Sequence, residues 1–321
     1  MTNHNRGFTL KDLVVGLVLI GLAGTFLLPT RSGSREMANR TYCASNLRQI
    51  GQAIMLYANE NRGAYPQLRT DPTLPPTALT GTDSPMPFVA GGPQPNDVTG
   101  ALYLLMRTQD IGGEAFTCPS SNAAKMRFKA NQTALDYSNF RTPSELSYSF
   151  HNFYGNAGEL GLTVVAAQSD FAVAADGNPG SPQLLTATFN DPAPSMRKVN
   201  SGNHDRDGQN VLYGDGHVEF QNNPFVGVAR DNMYTYGHSA TVNQVLTTTT
   251  PPDGIVGMPV NNNDSVLLPV LSTTSTVGVA SPSPARSTGK LPVVLVAAGL
   301  LAVAAVVVVL TTRKRPTDLA E

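Results

Sequence analysis

The most informative part of the sequence is residues 8–28, which read FTLKDLVVGLVLIGLAGTFLL. From Leu13 to Leu28 there is no charged residue. A helix rising about 1.5 Å per residue would place this run across most of a lipid bilayer. Asp12 stands inside the apolar segment, where a carboxylate is unfavourable unless it has a positively charged partner. The run ends before Pro29 without the small residues of a cleavable secretory signal, so we expect a transmembrane helix over 8–30.

A short motif leads into this helix. Arg6-Gly7-Phe8-Thr9-Leu10, followed by an acidic residue and an apolar run, resembles the leader of type IV prepilins. The resemblance implies that residues 1–7 are a leader, that a prepilin peptidase cleaves between Gly7 and Phe8, and that Phe8 is then methylated. It also implies that Asp12 pairs with the N-terminal ammonium of a neighbouring subunit. An uncleaved signal anchor is the alternative interpretation.

A second helical stretch is predicted over residues 31–60, since no proline occurs between Glu36 and Glu60. Apolar side chains recur here at intervals of three or four residues, which is typical of an amphipathic helix. The stripe consists of Cys43, Leu47, Ile50, Ile54 and Tyr57. Polar Asn46 lies off this stripe. In pilin-like proteins such a helix packs on a small antiparallel β-sheet, and the resemblance therefore implies an α+β fold.

An extracytoplasmic head domain is expected over residues 61–245. The many prolines of residues 66–100 predict a long loop. Short apolar runs then predict one helix and three strands. These are a helix at Ala101–Met106 and strands at Leu146–Phe150, Leu162–Ala167 and Phe171–Ala174.

The chain has two cysteines, Cys43 in the amphipathic helix and Cys118 in the head. Both would face an oxidising compartment, where disulfides persist. We therefore predict a Cys43–Cys118 disulfide that ties the helix to the head. Two buried free thiols are the alternative.

The segment between Ser201 and Gln221 contains more recognisable motifs than any other part of the head. Two strand-like runs, Gln209–Tyr213 and His217–Phe220, flank Gly214-Asp215-Gly216, which predicts a β-hairpin. His204 precedes the hairpin. His204, Asp215 and Gly216 resemble the signature of a bacterial pilin-like family of unknown function, named for its H-x9-DG motif. Here ten residues separate His204 from Asp215 instead of nine.

Three interpretations of this segment remain open. In the first, Asn and Asp side chains stabilise the turns by bonding to nearby backbone N–H groups. In the second, the spacing of oxygen ligands resembles part of an EF-hand loop, and the segment binds Ca²⁺. The predicted calcium ligands are Asn203, Asp205, Asp207 and Asp215.

The third interpretation is enzymatic. Gly202-Asn203-His204-Asp205 and Gly214-Asp215-Gly216-His217 resemble two metal-binding blocks of metallophosphoesterases. A membrane-tethered, metal-dependent hydrolase would use His204, Asp205, Asp215 and His217 to bind metal and activate water. In that family, however, the two blocks occur in the reverse order and lie farther apart.

The C-terminal part differs from that of an ordinary pilin. Residues 246–290 are rich in Thr, Ser and Pro and predict a disordered linker. The uncharged run at 291–310 predicts a C-terminal transmembrane helix. The basic residues Arg313-Lys314-Arg315 within the tail 311–321 place that end in the cytoplasm by the positive-inside rule. Both ends are therefore expected in the cytoplasm, with most of the chain outside the inner membrane.

The composition narrows the class of function. There are 22 basic and 23 acidic residues, a net charge of -1, which argues against a nucleic-acid partner. We expect a membrane-anchored structural or interaction protein and not an enzyme. It would belong to a type II secretion or type IV pilus-like apparatus, or be a surface-tethered domain. The expected partners are the lipid bilayer, a prepilin peptidase and other pilin-like subunits or secretion components.

Overall fold

The computed structural model describes residues 10, 13–19, 31–154, 169–237 and 252–271. Residues 10 and 13–19 are helical. Among the described residues, no helix combines the length and the apolar character needed to cross a membrane. The leader 1–7, most of the predicted N-terminal span, the second span at 291–310 and the tail 311–321 lie outside the described residues. So do Gly7, Phe8 and Asp12.

The longest element is helix α1, Arg31–Glu60. Its apolar stripe faces the head, because Cys43, Leu47 and Ile50 are fully buried. Asn46 is buried as well, which departs from its predicted place on the polar side. Its amide donates to the carbonyl oxygen of Thr117 at 3.0 Å, and this bond compensates for the burial of a polar group.

A five-stranded sheet forms the other layer. The strands are β1 (Tyr148–His151), β2 (Ala172–Asp176), β3 (Gln209–Tyr213), β4 (Val218–Gln221) and β5 (Leu267–Leu268). Their order is β4-β3-β2-β1-β5, and every pair of neighbours is antiparallel. The predicted strands at 146–150 and 171–174 correspond to β1 and β2. The one at Leu162–Ala167 lies outside the described residues.

The predicted hairpin is present as β3 and β4, with Leu212 opposite Val218. Helix α1 crosses this hairpin closely. A Cβ on Gly51 would lie 2.9 Å from a Leu212 methyl group, so the helix approaches β3 at a glycine. Gly216 in the turn has φ +89°, a conformation that favours glycine.

Two further helices complete the head. Helix α2, Val98–Thr108, contains the predicted helix and is longer at both ends. It begins at Asp97, whose carboxylate accepts from the Gly100 N–H at 2.7 Å and so caps the helix. Helix α3 spans Ala193–Val199.

The head does not end at residue 245. Within the predicted linker 246–290, residues 252–271 pack against the head, so the linker prediction is wrong for these residues. Val266, Leu267 and Leu268 are buried, and β5 pairs with β1. The amide of Asn178 also donates to the Leu267 carbonyl oxygen at 2.9 Å. A two-residue strand in a Thr- and Pro-rich setting carries too little periodicity to be recognised from sequence.

Candidate functional site

The centre of the site is His204, in a short turn between α3 and β3. Three successive residues, His204, Asp205 and Arg206, have φ values of 54°, 56° and 62°. Non-glycine residues seldom adopt this left-handed conformation, which costs about 1–3 kcal/mol each where it is strained. The turn places the side chain of His204 in the interior, where it has no exposed surface.

The imidazole of His204 lies within reach of four polar side chains from four parts of the chain. Its Nδ1 lies 2.6 Å from Glu36 Oε1 on α1. Its Nε2 lies 3.2 Å from Asp176 Oδ2 at the end of β2. The same nitrogen lies 3.2 Å from Asn210 Nδ2 on β3 and 3.6 Å from Cys118 Sγ. One buried ring thus joins the helix, the sheet and the loop that carries Cys118.

The charges around the ring favour its protonated form. Burial lowers the pKa of His204, but the hydrogen bonds and charges of Asp176 and then Glu36 outweigh burial and raise that pKa overall. Burial raises the pKa of Glu36, while hydrogen bonds from Ser120 and His204 lower it by more. Both shifts favour a protonated ring between two carboxylates.

Asp176 is the most enclosed carboxylate of the cluster, with no exposed surface. Its Oδ1 accepts from the Asn203 amide at 2.8 Å. Its Oδ2 accepts from the Asn210 backbone N–H at 2.7 Å. Neither Asp176 nor Glu36 was predicted as a site residue. The only local signal for Asp176 is its place at the end of an apolar run, ahead of Gly177-Asn178.

Cys43 and Cys118 form a disulfide beside the ring, with their Cα atoms 5.3 Å apart. The bond joins residues 75 positions apart in sequence and links α1 to the head, as the sequence predicted. Both cysteines are buried.

The structure does not bring the four predicted calcium ligands together. Asp207 pairs with Arg40 at 2.9 Å and with Arg197 at 2.7 Å, so two guanidinium groups already neutralise its charge. Asn203 turns its amide inward to Asp176. The backbone oxygen of Asp205 accepts from Arg197 at 2.9 Å, and Asp215 lies at the other end of β3.

Asp215 and His217 occupy the exposed hairpin turn. Asp215 Oδ1 lies 2.5 Å from His217 Nδ1 and accepts from the His217 backbone N–H at 3.0 Å. Both hydrogen bonds lower the pKa of Asp215, and the bond from the His217 backbone has the larger effect. The five residues of β3 separate this turn from the segment that carries His204. At roughly 3.3 Å per residue, the strand is about 17 Å long. The hydrolase interpretation is therefore wrong as a single centre, because its four residues divide between the two ends of a strand.

A long helix packed on an antiparallel sheet is consistent with the pilin-like class that the leader motif indicates. Comparison with known proteins supports that class. Over 84 residues, the chain is 32% identical to type II secretion system core protein G of Escherichia coli K12, covering 24% of this chain and 57% of that protein. Over 110 residues it is 29% identical to the core protein G of Klebsiella pneumoniae, covering 32% of this chain and 75% of that protein.

The match is partial. The chain spans about half the length of the first of these relatives, 57% in the Escherichia coli protein. No family model matches the chain, and no solved structure matches it.

Proposed function

We propose that the protein is a pseudopilin-like structural subunit of a type II secretion or related pilus-like apparatus. The similarity to core protein G carries this proposal, because it agrees with the leader motif in the sequence. The layered arrangement of α1 on an antiparallel sheet supports it. The role is to assemble with other subunits and not to catalyse a reaction.

The N-terminal segment would supply the membrane anchor and the assembly contact. In this proposal the prepilin peptidase cleaves after Gly7, Phe8 becomes the methylated N-terminus, and Asp12 becomes the fifth residue of the mature chain. A carboxylate in lipid is stable when it faces a cation, and the ammonium of a neighbouring Phe8 provides one. The protein would sit in the inner membrane with its head outside.

The second apolar run limits the kinds of assembly that the protein could join. If residues 291–310 span the membrane, both ends of the chain lie in the cytoplasm. Removing a further 20 or so apolar residues from lipid is strongly unfavourable at about 25 cal/mol per Å² of apolar surface. The retained form would therefore be a tethered head or part of a static platform, and only a chain that loses this run would enter a filament.

The test of processing is the intact mass of the protein isolated from its own membrane. The expected wild-type chain begins at N-methyl Phe8. Gly7→Val should retain residues 1–7, whereas Gly16→Val should be processed normally, since a side chain at Gly16 meets no neighbouring atom within 4 Å. A wild-type chain that still carries Met1–Gly7 would contradict the proposal and leave an uncleaved anchor. The same mass shows whether residues 291–310 are retained.

The test of assembly uses Asp12→Asn. The amide cannot form the ion pair with the Phe8 ammonium, so cross-linking of subunits in the membrane should fall while cleavage after Gly7 continues. Equal cross-linking of wild type and Asp12→Asn would remove Asp12 from the assembly contact.

A further inference from the structure

Four side chains that commonly bind metal ions meet at the centre of the site. Cys43, Cys118, Asp176 and His204 each offer one ligand atom, and these atoms all lie within 4.8 Å of one another. All four residues are buried, with exposures of 0%, 2%, 0% and 0%. They come from α1, the loop before β1, β2 and the turn before β3, so only the folded chain brings them together.

Two of the distances between these atoms match those of a tetrahedral zinc site. Zinc bonds of about 2.3 Å to sulfur and about 2.0–2.1 Å to nitrogen or oxygen place a sulfur and a nitrogen ligand roughly 3.6 Å apart. The Cys118 Sγ to His204 Nε2 distance is 3.6 Å. A nitrogen and an oxygen ligand should lie roughly 3.3 Å apart. The His204 Nε2 to Asp176 Oδ2 distance is 3.2 Å.

The groups around the four side chains are those that orient metal ligands. A histidine that binds zinc through one nitrogen usually donates its other N–H to a carboxylate. Glu36 Oε1 occupies that place, 2.6 Å from His204 Nδ1. Asp176 is held in turn by Asn203 through Oδ1 and by the Asn210 backbone through Oδ2. The site is therefore preorganised except for the bond between its two sulfurs.

We propose that, once the Cys43–Cys118 disulfide is reduced, Cys43, Cys118, Asp176 and His204 bind one Zn²⁺ ion. A phosphine reductant in water breaks the S–S bond, yields two thiols and leaves as the phosphine oxide. Zinc then displaces one proton from each thiol and the proton on His204 Nε2, and all three protons pass to the solvent. His204 binds through Nε2 as neutral imidazole and keeps its Nδ1–H on Glu36. The two sulfurs must separate to about 3.8 Å, from about 2.05 Å in a disulfide, which side-chain rotation supplies.

One pocket at the surface of the head is lined in part by Cys118. This pocket of about 290 Å³ is also lined by Tyr42, Glu114, Thr117 and Lys125. The pocket holds one acidic and one basic side chain at its wall. Cys118 is only 2% exposed, so we expect a small reductant to approach the disulfide from the side of this pocket.

The zinc site and the disulfide are alternative links between α1 and the head. A chain whose thiols are reduced, as in any reducing compartment, would hold the helix through the metal. A small-molecule disulfide that takes up the two electrons of the thiolates, and is itself reduced to two thiols, would release zinc and leave the covalent link. This inference does not depend on the proposed role in secretion, since it concerns only the head and α1.

The test uses the full chain in detergent, reduced with a phosphine that binds zinc poorly. After removal of unbound metal, elemental analysis should find one zinc per reduced chain and none in the oxidised chain. Cobalt substituted for zinc should give the thiolate charge-transfer bands and intense visible bands of a tetrahedral sulfur-ligated site. The chain has no other cysteine, so these bands can arise only from Cys43 and Cys118.

Variants separate this site from adventitious binding by the two thiols. Glu36→Gln keeps all four ligands and should weaken zinc binding by about 10–100-fold in chelator competition. His204→Gln and Asp176→Asn remove a ligand and should weaken it further. His217→Gln is the matched control, because His217 is exposed in the hairpin turn and should leave the affinity unchanged.

Three outcomes would overturn the proposal. The first is a reduced chain that takes up no zinc. The second is zinc affinity that is equal in wild type, Glu36→Gln and His204→Gln, which would show two thiols acting alone. The third is a reduced chain whose thermal unfolding temperature zinc does not raise. If Asp176→Asn does not fold, Glu36→Gln still tests the zinc proposal, because that variant keeps all four ligands. Processing after Gly7 is measured separately and can succeed or fail independently.

Discussion

The two ends of β3 carry the two halves of one sequence motif, yet they differ in almost every physical respect. At the start of the strand, His204 is fully buried between Glu36 and Asp176 and lies against a disulfide. At the other end, Asp215 and His217 form a hydrogen-bonded pair with side chains 38% and 43% exposed. A histidine and an aspartate are present at both ends, and only one end is enclosed.

Both ends nevertheless contact the same helix. His204 reaches Glu36, and the disulfide beside it holds Cys43. Gly216 in the hairpin turn lies against Met55, since a Cβ added there would come within 2.8 Å of the methionine methyl group. From 36 to 55 is 19 residues, or about 28 Å of helix at roughly 1.5 Å each. The motif therefore stabilises α1 at two separated places, by charge at one and by close packing at the other.

The largest effect should come from His204→Ala in the oxidised protein. Glu36 and Asp176 would lose the cation between them, and breaking a buried ion pair in this way costs about 3–5 kcal/mol. Urea unfolding of the full chain in detergent, followed by tyrosine fluorescence, measures the loss. His217→Ala is the control at the exposed end. Equal losses for the two variants would contradict the distinction between the ends.

Removing the disulfide should have the next largest effect. Cys43→Ser with Cys118→Ser opens a link across 75 residues of sequence. The free energy of unfolding should fall by about 2–4 kcal/mol, because the unfolded chain regains conformational freedom. The same urea titration in the absence of reductant measures this change. An unchanged midpoint would show that the disulfide does not stabilise the contact between α1 and the head.

Gly216→Ala should lower the free energy of unfolding by about 1–2 kcal/mol, because the residue must keep φ +89° with a Cβ present. The clash with Met55 adds little, since the end of that side chain is flexible. Gly202→Ala is the control, as an added Cβ there has no neighbour within 4 Å. Comparable destabilisation by Gly202→Ala would show that the left-handed conformation of Gly216 is not the cause of the effect.

A smaller change should follow from pH. The pKa of His204 is raised above its usual 6.5, since Asp176 and Glu36 together outweigh burial. The associated stability is therefore fully present below about pH 6.5 and is lost as the pH rises through the folded-state pKa. Urea midpoints across this range should fall with pH in wild type and in His217→Gln. They should fall less in His204→Gln, and an equal slope in all three would contradict the assignment.

The smallest effect should come from Asp215→Asn. The exposed pair with His217 is screened by water, so the change in unfolding free energy should stay within about 0.5 kcal/mol. Thermal unfolding of this variant beside wild type measures it. A loss as large as that of Gly216→Ala would mean that the Asp215 side chain, and not the backbone turn, supports the hairpin.

The elements with strong local patterns were predictable from sequence. The stripe of Cys43, Leu47 and Ile50 indicated the buried face of α1, because its spacing fits the helical period. Gly214-Asp215-Gly216 indicated the hairpin, because glycine allows the positive φ that the turn requires. Both depend on neighbours within a few residues along the chain.

The partners of His204 were not predictable, because they depend on contacts between distant parts of the chain. Glu36 lies 168 residues from His204 in sequence, and nothing near it distinguishes it from other helix-surface carboxylates. The same limit applies to the predicted calcium ligands: Asp207 has suitable spacing, but the folded chain places Arg40 and Arg197 against it. For Leu267–Leu268, a two-residue strand gave no periodic signal.

The most direct test of the central claim is native-state hydrogen exchange along α1 in wild type, His204→Ala and Gly216→Ala. If the motif stabilises the helix at two separate places, His204→Ala should lower protection mainly around Glu36 to Cys43, and Gly216→Ala mainly around Met55. A uniform loss of protection along Arg31–Glu60 in both variants, or no loss in either, would contradict the account.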